Sequence, residues 1–419
     1  MKRILVISWY FPPVNSSEGL VTFKLLKNSK YKYDVFTQKK SSTWAYNNTE
    51  TELISKNINT IFSDCETIKD WVIDGINYFE KNKEKYDIIM TRSMAPESHE
   101  IGLEIKKKYP NVKWIASFGD PIANNPYQII CKTISPYQIK GQGMLEYGIK
   151  RILSPKRIIM NLIWNYRMNN YINKCTRIKI DEKLQDEVLK YADNIIFNSI
   201  YQKKYMSKGY DTKIVDKGIV LPHTFDSDFY NYKLNNKNDK IVISYIGHCD
   251  DIRSPKVLFD AIKKLKEQDE KLYEKLEVNF YGNLADKDKV KIIDNDIADI
   301  VRVNKNVSYF ESLEIMRKSN WLLLIDANLS AILDNNIFFA AKLADYLGSE
   351  RNIFGITMYN GPSADILRKT NNIVSSFSIE ETYINLKKIL EGKIKNSTYN
   401  NDEYNAINVA KKFDELIGK

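Results

Sequence analysis

Lys342, Asp345 and Gly348 stand three residues apart in the stretch FFAAKLADYLG, Phe338 to Gly348. On a helix they rise along one side. Asn335 and Asn336 lie just upstream, where such a helix would begin, and a helix N-terminus favours anions through its free N–H groups and its dipole. A lysine there can help neutralise a diphosphate. A carboxylate one or two turns in can accept hydrogen bonds from a ribose diol. The same spacing also fits a half-exposed helix with no ligand. The flanks favour chemistry: Asn320 to Asp326 reads as a buried strand before it, and Ile353 to Thr357 as a strand after it. Gly361-Pro362-Ser363-Ala364-Asp365 then reads as a tight turn into another helix.

A second candidate is Asp120, in SFGDPIANNPY, directly after the predicted strand Lys113 to Ser117. A carboxylate there can orient or deprotonate a hydroxyl group. It also suits a plain Asp-Pro turn. Asn125 lies in the same loop, and Arg92 and His99 lie in TRSMAPESHE. These three are candidates for the acceptor side of a cleft, with a surface or capping role as the plainer reading of His99.

The elements that must hold these groups alternate. Arg3 to Ser8, Tyr33 to Thr37, Asn59 to Phe62, Tyr86 to Thr91 and Lys113 to Ser117 read as strands, with helical patterns such as Thr67 to Lys81 and Pro96 to Tyr109 between them. Alternation of this kind predicts a parallel, doubly wound sheet, whose ligands sit beyond the carboxyl ends of the strands. The loops 9–19, 92–98 and 118–127 then face one cleft. Residues 1–217 form this first unit, and Gly218 and Pro222 open a linker, 218–240, rich in Asp and Asn. A second alternating unit spans 241–395, and 396–419 ends in one last helical pattern.

The chain has 419 residues, 43% of them hydrophobic, enough for two domains with their own cores. Its four cysteines, Cys65, Cys131, Cys175 and Cys249, are scattered and form no metal-binding motif. They read as reduced thiols of a cytoplasmic protein. The N-terminal apolar run is only about eight residues and is followed by Pro-Pro, a first strand rather than a signal peptide. No stretch approaches a membrane span. The net charge is +10, and residues 128–179 hold ten basic side chains against the single acid Glu146, a net +9. Aliphatic residues interleave with these cations, which predicts a basic amphipathic helical insertion. It either lies on an anionic membrane surface or packs on its own domain. Few stacking aromatics and no known motif argue against nucleic acid as the partner, despite a pI of about 9.0.

The order YIG, then Arg253, FYG, YFESLEIMRKSNWLLLID, KLADYLG and GPSADI over Ile241 to about Leu390 resembles the nucleotide-sugar-binding domain of GT-B glycosyltransferases, specifically retaining family four. The resemblance implies two Rossmann-like doubly wound domains facing a central cleft. It also implies roles for particular residues. Asp345 matches the second acid of the family's Glu-x7-Glu pair, the one that holds the donor ribose, while the first position falls on Ile337. In the loop after the first strand of the second domain, Gly247 is retained, His248 matches a family Arg and Arg253 a family Lys that holds the diphosphate. Gly19 resembles one glycine of a loop that approaches the donor phosphate, and it equally fits a helix-entry glycine. Gly361, Ser363 and Ala364 match a helix start that binds the donor.

The resemblance therefore implies a glycosyltransferase moving a sugar from a nucleoside diphosphate sugar, UDP-linked and with retention, to a glycan or lipid-linked glycan of a bacterial surface polysaccharide. Catalysis falls to Asp120, Arg253 and Lys342. No cofactor and no metal are expected. The expected location is the cytoplasm, at the inner face of the membrane. Two alternatives stand beside this reading: a nucleotide-sugar epimerase, and a binding subunit with a decayed active site, for which Ile337 and His248 speak.

Overall fold

The computed structural model describes residues 2–14, 16–39, 53–133, 179–230, 239–394 and 401–418. The expected basic insertion, 128–179, lies outside the described residues over 134–178.

The first sheet has seven parallel strands: β1 (Arg3–Ile7), β2 (Lys32–Thr37), β3 (Ile58–Phe62), β4 (Ile88–Ser93), β5 (Lys113–Phe118), β6 (Asn194–Phe197) and β7 (Gly218–Val220). Their order is β3-β2-β1-β4-β5-β6-β7. Central strands buried on both faces are mostly apolar, and polar residues among them, such as Thr91, Arg92 and Ser93 in β4, must find partners. All six residues of β4 and the last four of β1 are buried. The helices that matter below are α1 (Ser17–Lys27), α2 (Ile68–Asn82), α3 (Glu97–Lys108), α4 (Pro126–Thr133), α5 (179–191) and α6 (Ile200–Met206). Strand β7 is a difference from the sequence reading, which began a linker at Gly218. Only three residues long, it pairs with β6 through Ile195↔Gly218 and extends the first sheet.

The second sheet has six parallel strands: β8 (Ile241–Ile246), β9 (Leu276–Tyr281), β10 (Val301–Asn304), β11 (Trp321–Ile325), β12 (Asn352–Ile356) and β13 (Ile373–Ser375). Their order is β10-β9-β8-β11-β12-β13. All five residues of β11 are buried. Three helices carry its functional features: α7 (Tyr309–Lys318), α8 (Ala341–Gly348) and α9 (Pro362–Lys369). A capping box, Ser308 with Glu311, starts α7. The last helix, α10 (Ala406–Gly418), packs back against α1 of the first domain, and Lys2 and Lys113 donate to the Ile417 and Leu416 carbonyls at 2.8 and 2.9 Å.

In each sheet the strand order reverses between two central neighbours, β1 and β4 in the first and β8 and β11 in the second. The loops after such strands diverge and open a crevice, which is where open parallel sheets bind ligands. The loops after β1, β4 and β5 face those after β8 and β11.

The two domains are tied by side chains that cross between them. Lys24 of α1 donates to Asp345 Oδ1 of α8 at 2.9 Å. Tyr309 of α7 and Tyr230 donate to the same oxygen at 3.0 and 3.3 Å. Lys24 is 1% exposed and Asp345 7%. Ser199 donates to the Ile337 carbonyl at 3.1 Å, and Tyr201 of α6 to Asp365 of α9 at 2.7 Å. Gly348, at the end of α8, leaves room for the Phe225 ring: a Cβ there would fall 2.6 Å from it. Removing one partner of a buried ion pair strands the other charge. We expect Asp345→Asn to lower the unfolding free energy in urea by about 3–5 kcal/mol. Replacing both partners, Lys24→Met with Asp345→Leu, should recover much of that loss. An unchanged unfolding midpoint in Asp345→Asn would show that the pair carries no stability.

Candidate functional site

Arg253 and Lys342 come together at the C-terminal edge of the second sheet. The loop after β8 is shaped by Asp250, whose Oδ1 accepts from the backbone N–H groups of Ile252 and Arg253 at 3.0 and 2.9 Å. Burial works to raise the Asp250 carboxyl, but the Tyr127 hydroxyl and these two N–H groups hold it below its usual range. Tyr127 belongs to α4 of the first domain. Its hydroxyl donates to Asp250 and its ring lies 5.1 Å from the Arg253 guanidinium, so the first domain also positions the arginine. Arg253 approaches Asp250 no closer than 3.8 Å, a loose ion pair that leaves the guanidinium available.

Lys342, in the first turn of α8, has no carboxylate within ion-pair distance among the described residues. Its ammonium sits 4.0 Å above the Tyr245 ring. It rests on Gly247, where a Cβ would lie 2.6 Å from Nζ; Gly247 also has a φ of 126°, which other residues rarely adopt. Burial, and then Arg253 beside it, push the Lys342 pKa down to about 8. Asp326, at the end of β11, is buried, and burial raises its carboxyl. It accepts from Thr357 at 2.8 Å. Ser363 lies close enough to temper that rise, although its buried hydroxyl forms no hydrogen bond of good geometry. Gly361 turns the chain into α9 with a φ of 152°, and Asn336 occupies the space a side chain there would need. Ser363 and Ala364 follow in the first turn with buried side chains.

Across the cleft stands Asp120, partly open to solvent. Burial, then the Glu18 carboxylate, push its pKa up to about 7, against the pull of Arg253 and Arg92. No hydrogen bond or ion pair engages its carboxylate among the described residues. Glu18, in the first turn of α1, lies against Gly119: a Cβ at 119 would meet its Oε2 at 2.5 Å. Arg92, at 5% exposure, donates through Nε to Glu18 at 2.9 Å and through Nη1 to Ser117 at 2.9 Å.

The structure thus brings together Asp120, Gly247, Arg253, Lys342 and the start of α9. Other sequence candidates sit differently. Asp345 does not open to the cleft, because its Oδ1 is engaged by Lys24 and two tyrosines. Its helix also begins at Ala341 rather than near Asn336, whose side chain instead accepts from the Phe338 N–H at 2.9 Å. His99, for which a surface role seemed the plainer reading, is buried on α3. Its Nδ1 bonds Thr91 at 2.6 Å, its ring packs on Phe118, and burial pushes its pKa down to about 3. Asn125 is spent on its own turn, donating to the Pro121 carbonyl at 3.1 Å and accepting from the Tyr127 N–H at 3.0 Å. His248 presents an exposed side chain at the rim. Gly19 packs on the Tyr10–Phe11 backbone, where a Cβ would lie 3.1 Å from Phe11 Cα. The sequence reading missed Glu18, Tyr127, Tyr245 and Asp250. Glu18 was the one with a local signal, an acid at a helix start.

Across this cleft two cations, Arg253 compensated by Asp250 and Lys342 with no carboxylate within ion-pair distance among the described residues, face a carboxylate poised near neutrality. The arrangement can bind a multiply charged anion on one side and receive a proton on the other.

No protein-family model and no curated protein matches the sequence. Solved structures do match over the whole chain. Sucrose-phosphate synthase from Thermosynechococcus elongatus superimposes with a TM-score of 0.67 at 11% identity, covering 100% of this chain and 98% of that one. The lipopolysaccharide outer core galactosyltransferase WaaB gives 0.57 at 11% identity, covering 99% of each chain. UDP-GlcNAc 2-epimerase from Methanocaldococcus jannaschii gives 0.52 at 10% identity, covering 100% of this chain and 99% of that one. The fold is therefore GT-B; identities this low carry the fold and not the activity.

Asp120 yields a prediction with a fixed sign. The native state keeps a proton that the unfolded chain releases between about pH 4 and pH 7, so native stability falls as pH rises through that window. Asp120→Asn removes this cost. The variant should be more stable than the parent at pH 8 in urea denaturation, with the difference shrinking towards pH 4. An equal difference at both pH values would place the Asp120 pKa at its ordinary value.

Proposed function

We propose that the chain is a glycosyltransferase that moves a sugar from a nucleoside diphosphate sugar, UDP-linked, to a glycan or lipid-linked glycan, with retention. The observation that carries the reading is the pair Arg253 and Lys342, two cations beside a strand-end glycine with Asp120 across the cleft. In the transfer the anomeric carbon's bond to the diphosphate oxygen breaks, and its electron pair leaves with the diphosphate. A bond to the acceptor hydroxyl oxygen forms, and the hydroxyl proton goes to Asp120 or to the departing phosphate. Negative charge grows on the diphosphate as that bond breaks, and Arg253 and Lys342 meet it there. A charge already fixed in place stabilises the transition state without reorganisation, so neither a cofactor nor a metal is required in this reading. Binding of the diphosphate also raises the Lys342 pKa from about 8 and holds the amine more firmly in its charged form, because a neighbouring anion raises an amine's pKa. The α9 start, with Gly361, Ser363 and Ala364, supports the donor from the other side. The resemblance to family four supports the same assignment. In this reading Asp345 serves domain closure, and ribose recognition through it requires displacement of Lys24.

We expect Arg253→Ala and Lys342→Ala each to lower turnover by about a hundredfold, more than they raise the donor Michaelis constant. Wild-type turnover in both would remove the diphosphate from this site. Activity should survive a chelator; loss reversed by manganese would require a metal.

A second reading, a nucleotide-sugar epimerase, draws on the shared fold of the archaeal epimerase and on the two cleft carboxylates, Asp120 and Glu18. Incubating labelled UDP-sugar without acceptor separates the two, since only an epimerase yields the epimer. The transferase reading also includes a site of action at the inner face of the cytoplasmic membrane, held by the basic residues of 128–179. Flotation with anionic vesicles that weakens as salt rises is expected, and protein that stays soluble at low salt would refute it.

A further inference from the structure

Tyr127 reaches out of its own domain. It sits in the first turn of α4, where Asn125 Oδ1 accepts its N–H at 3.0 Å and the Asn125 carbonyl accepts from Ile129 at 2.9 Å. Its ring packs on a small apolar cluster of Ile252, Ala327, Leu329 and Met358, all from the second domain. Its hydroxyl donates to Asp250 Oδ2. Asp250 Oδ1 is already occupied by the Ile252 and Arg253 N–H groups. Oδ2 is therefore the oxygen left for the Arg253 side chain, three residues on in the same turn. Yet Arg253 Nη1 stands 3.8 Å from it, beyond hydrogen-bond reach, with the guanidinium 5.1 Å from the Tyr127 ring.

We propose that Tyr127 is a positioning residue that keeps Arg253 from closing onto Asp250, and that Asp250 masks Arg253 when the first domain draws back; the proposal rests on the reading of Arg253 as a diphosphate ligand. A guanidinium and a carboxylate form a charge-assisted bond, about twice as strong as one between neutral groups. Once Tyr127 leaves, Oδ2 has lost its donor, and the arginine beside it takes that place. A diphosphate must then displace a carboxylate tethered in the same loop, which competes at a high effective concentration. With Tyr127 in place the hydroxyl satisfies Oδ2. The ring face receives the guanidinium without consuming its N–H donors. Closure of the domains thus unmasks the arginine, and a diphosphate bound to the arginine favours closure in return.

Calorimetric titration of UDP tests this on the full chain, in the parent, Tyr127→Phe, Asp250→Asn and the double variant. Phenylalanine keeps the ring in its cluster and loses only the hydroxyl. Asparagine keeps an oxygen for the Ile252 and Arg253 N–H groups but carries no charge to capture Arg253. Tyr127→Phe should weaken UDP binding about fivefold in the parent background, the size of a partly exposed ion pair, and by less than about twofold in the Asp250→Asn background. Damaged packing alone would give the same loss in both. An equal loss with and without the Asp250 charge therefore overturns the proposal. UDP bound by the parent and untouched by Tyr127→Phe refutes the masking alone. A parent protein that binds no UDP refutes the diphosphate reading itself.

Discussion

Two cations held side by side in a half-buried cleft repel each other and resist desolvation, and the organisation of the second domain follows from that cost. Lys342 has been pushed down to about 8 by burial and by Arg253. Such a site is destabilised when empty and gains when an anion arrives, and this differential is what a binding site for a diphosphate requires. The surroundings moderate the cost without cancelling it. The Tyr245 ring offers its electron-rich face to Lys342, and the Tyr127 ring does the same for Arg253. Asp250 is held deprotonated by the Tyr127 hydroxyl, yet stands too far from Arg253 to neutralise it fully. Gly247 lets the lysine approach the strand end.

The same economy of charge governs the contact between domains. Lys24 and Asp345 are both buried, and each leaves water only because the other is present, with two tyrosine hydroxyls sharing the carboxylate oxygen. Together with the Ser199, Tyr201 and Tyr127 contacts, this pair sets how the Asp120 loop faces the Arg253 loop. Domain closure and cleft geometry are therefore coupled. An element that moves one domain relative to the other must break a buried ion pair and a hydrogen bond at the cation site. Helix α10, bonded to the first domain through Lys2 and Lys113, ties the chain's end into the same arrangement.

Much of this was legible in the amino-acid sequence. The two parallel sheets followed from alternating apolar runs and helical patterns, and β8 was read to its observed limits, Ile241–Ile246. Lys342 stood out by its place on a predicted helix and Arg253 by the family resemblance, and the structure sets the two side by side. What was not legible is contact between distant parts of the chain. Lys24 and Asp345 are 321 residues apart, so the Asp345 spacing looked like that of a ribose ligand. Lys342 and Asp345 share one side of α8, yet one faces Gly247 and the other faces α1, a divergence no spacing contains. Arg92 looked like an open acceptor-side cation because its partner Glu18 is 74 residues away. His99 looked peripheral because its surroundings come from other elements, Thr91 from β4 and the rings of Trp114 and Phe118 from β5. Strands β7 and β13, three residues each, are too short for a period of two to register.

The central claim is that the pair Arg253 and Lys342 is a diphosphate site, and the ionisation of one side chain reports on it directly. Heteronuclear NMR of the Lys342 side chain, assigned by its loss in Lys342→Met, can follow its titration with and without UDP. The account predicts a pKa near 8 in the free protein, rising towards or beyond the ordinary lysine value of 10.5 when UDP is bound. A Lys342 pKa that is the same in the presence of saturating UDP would contradict it.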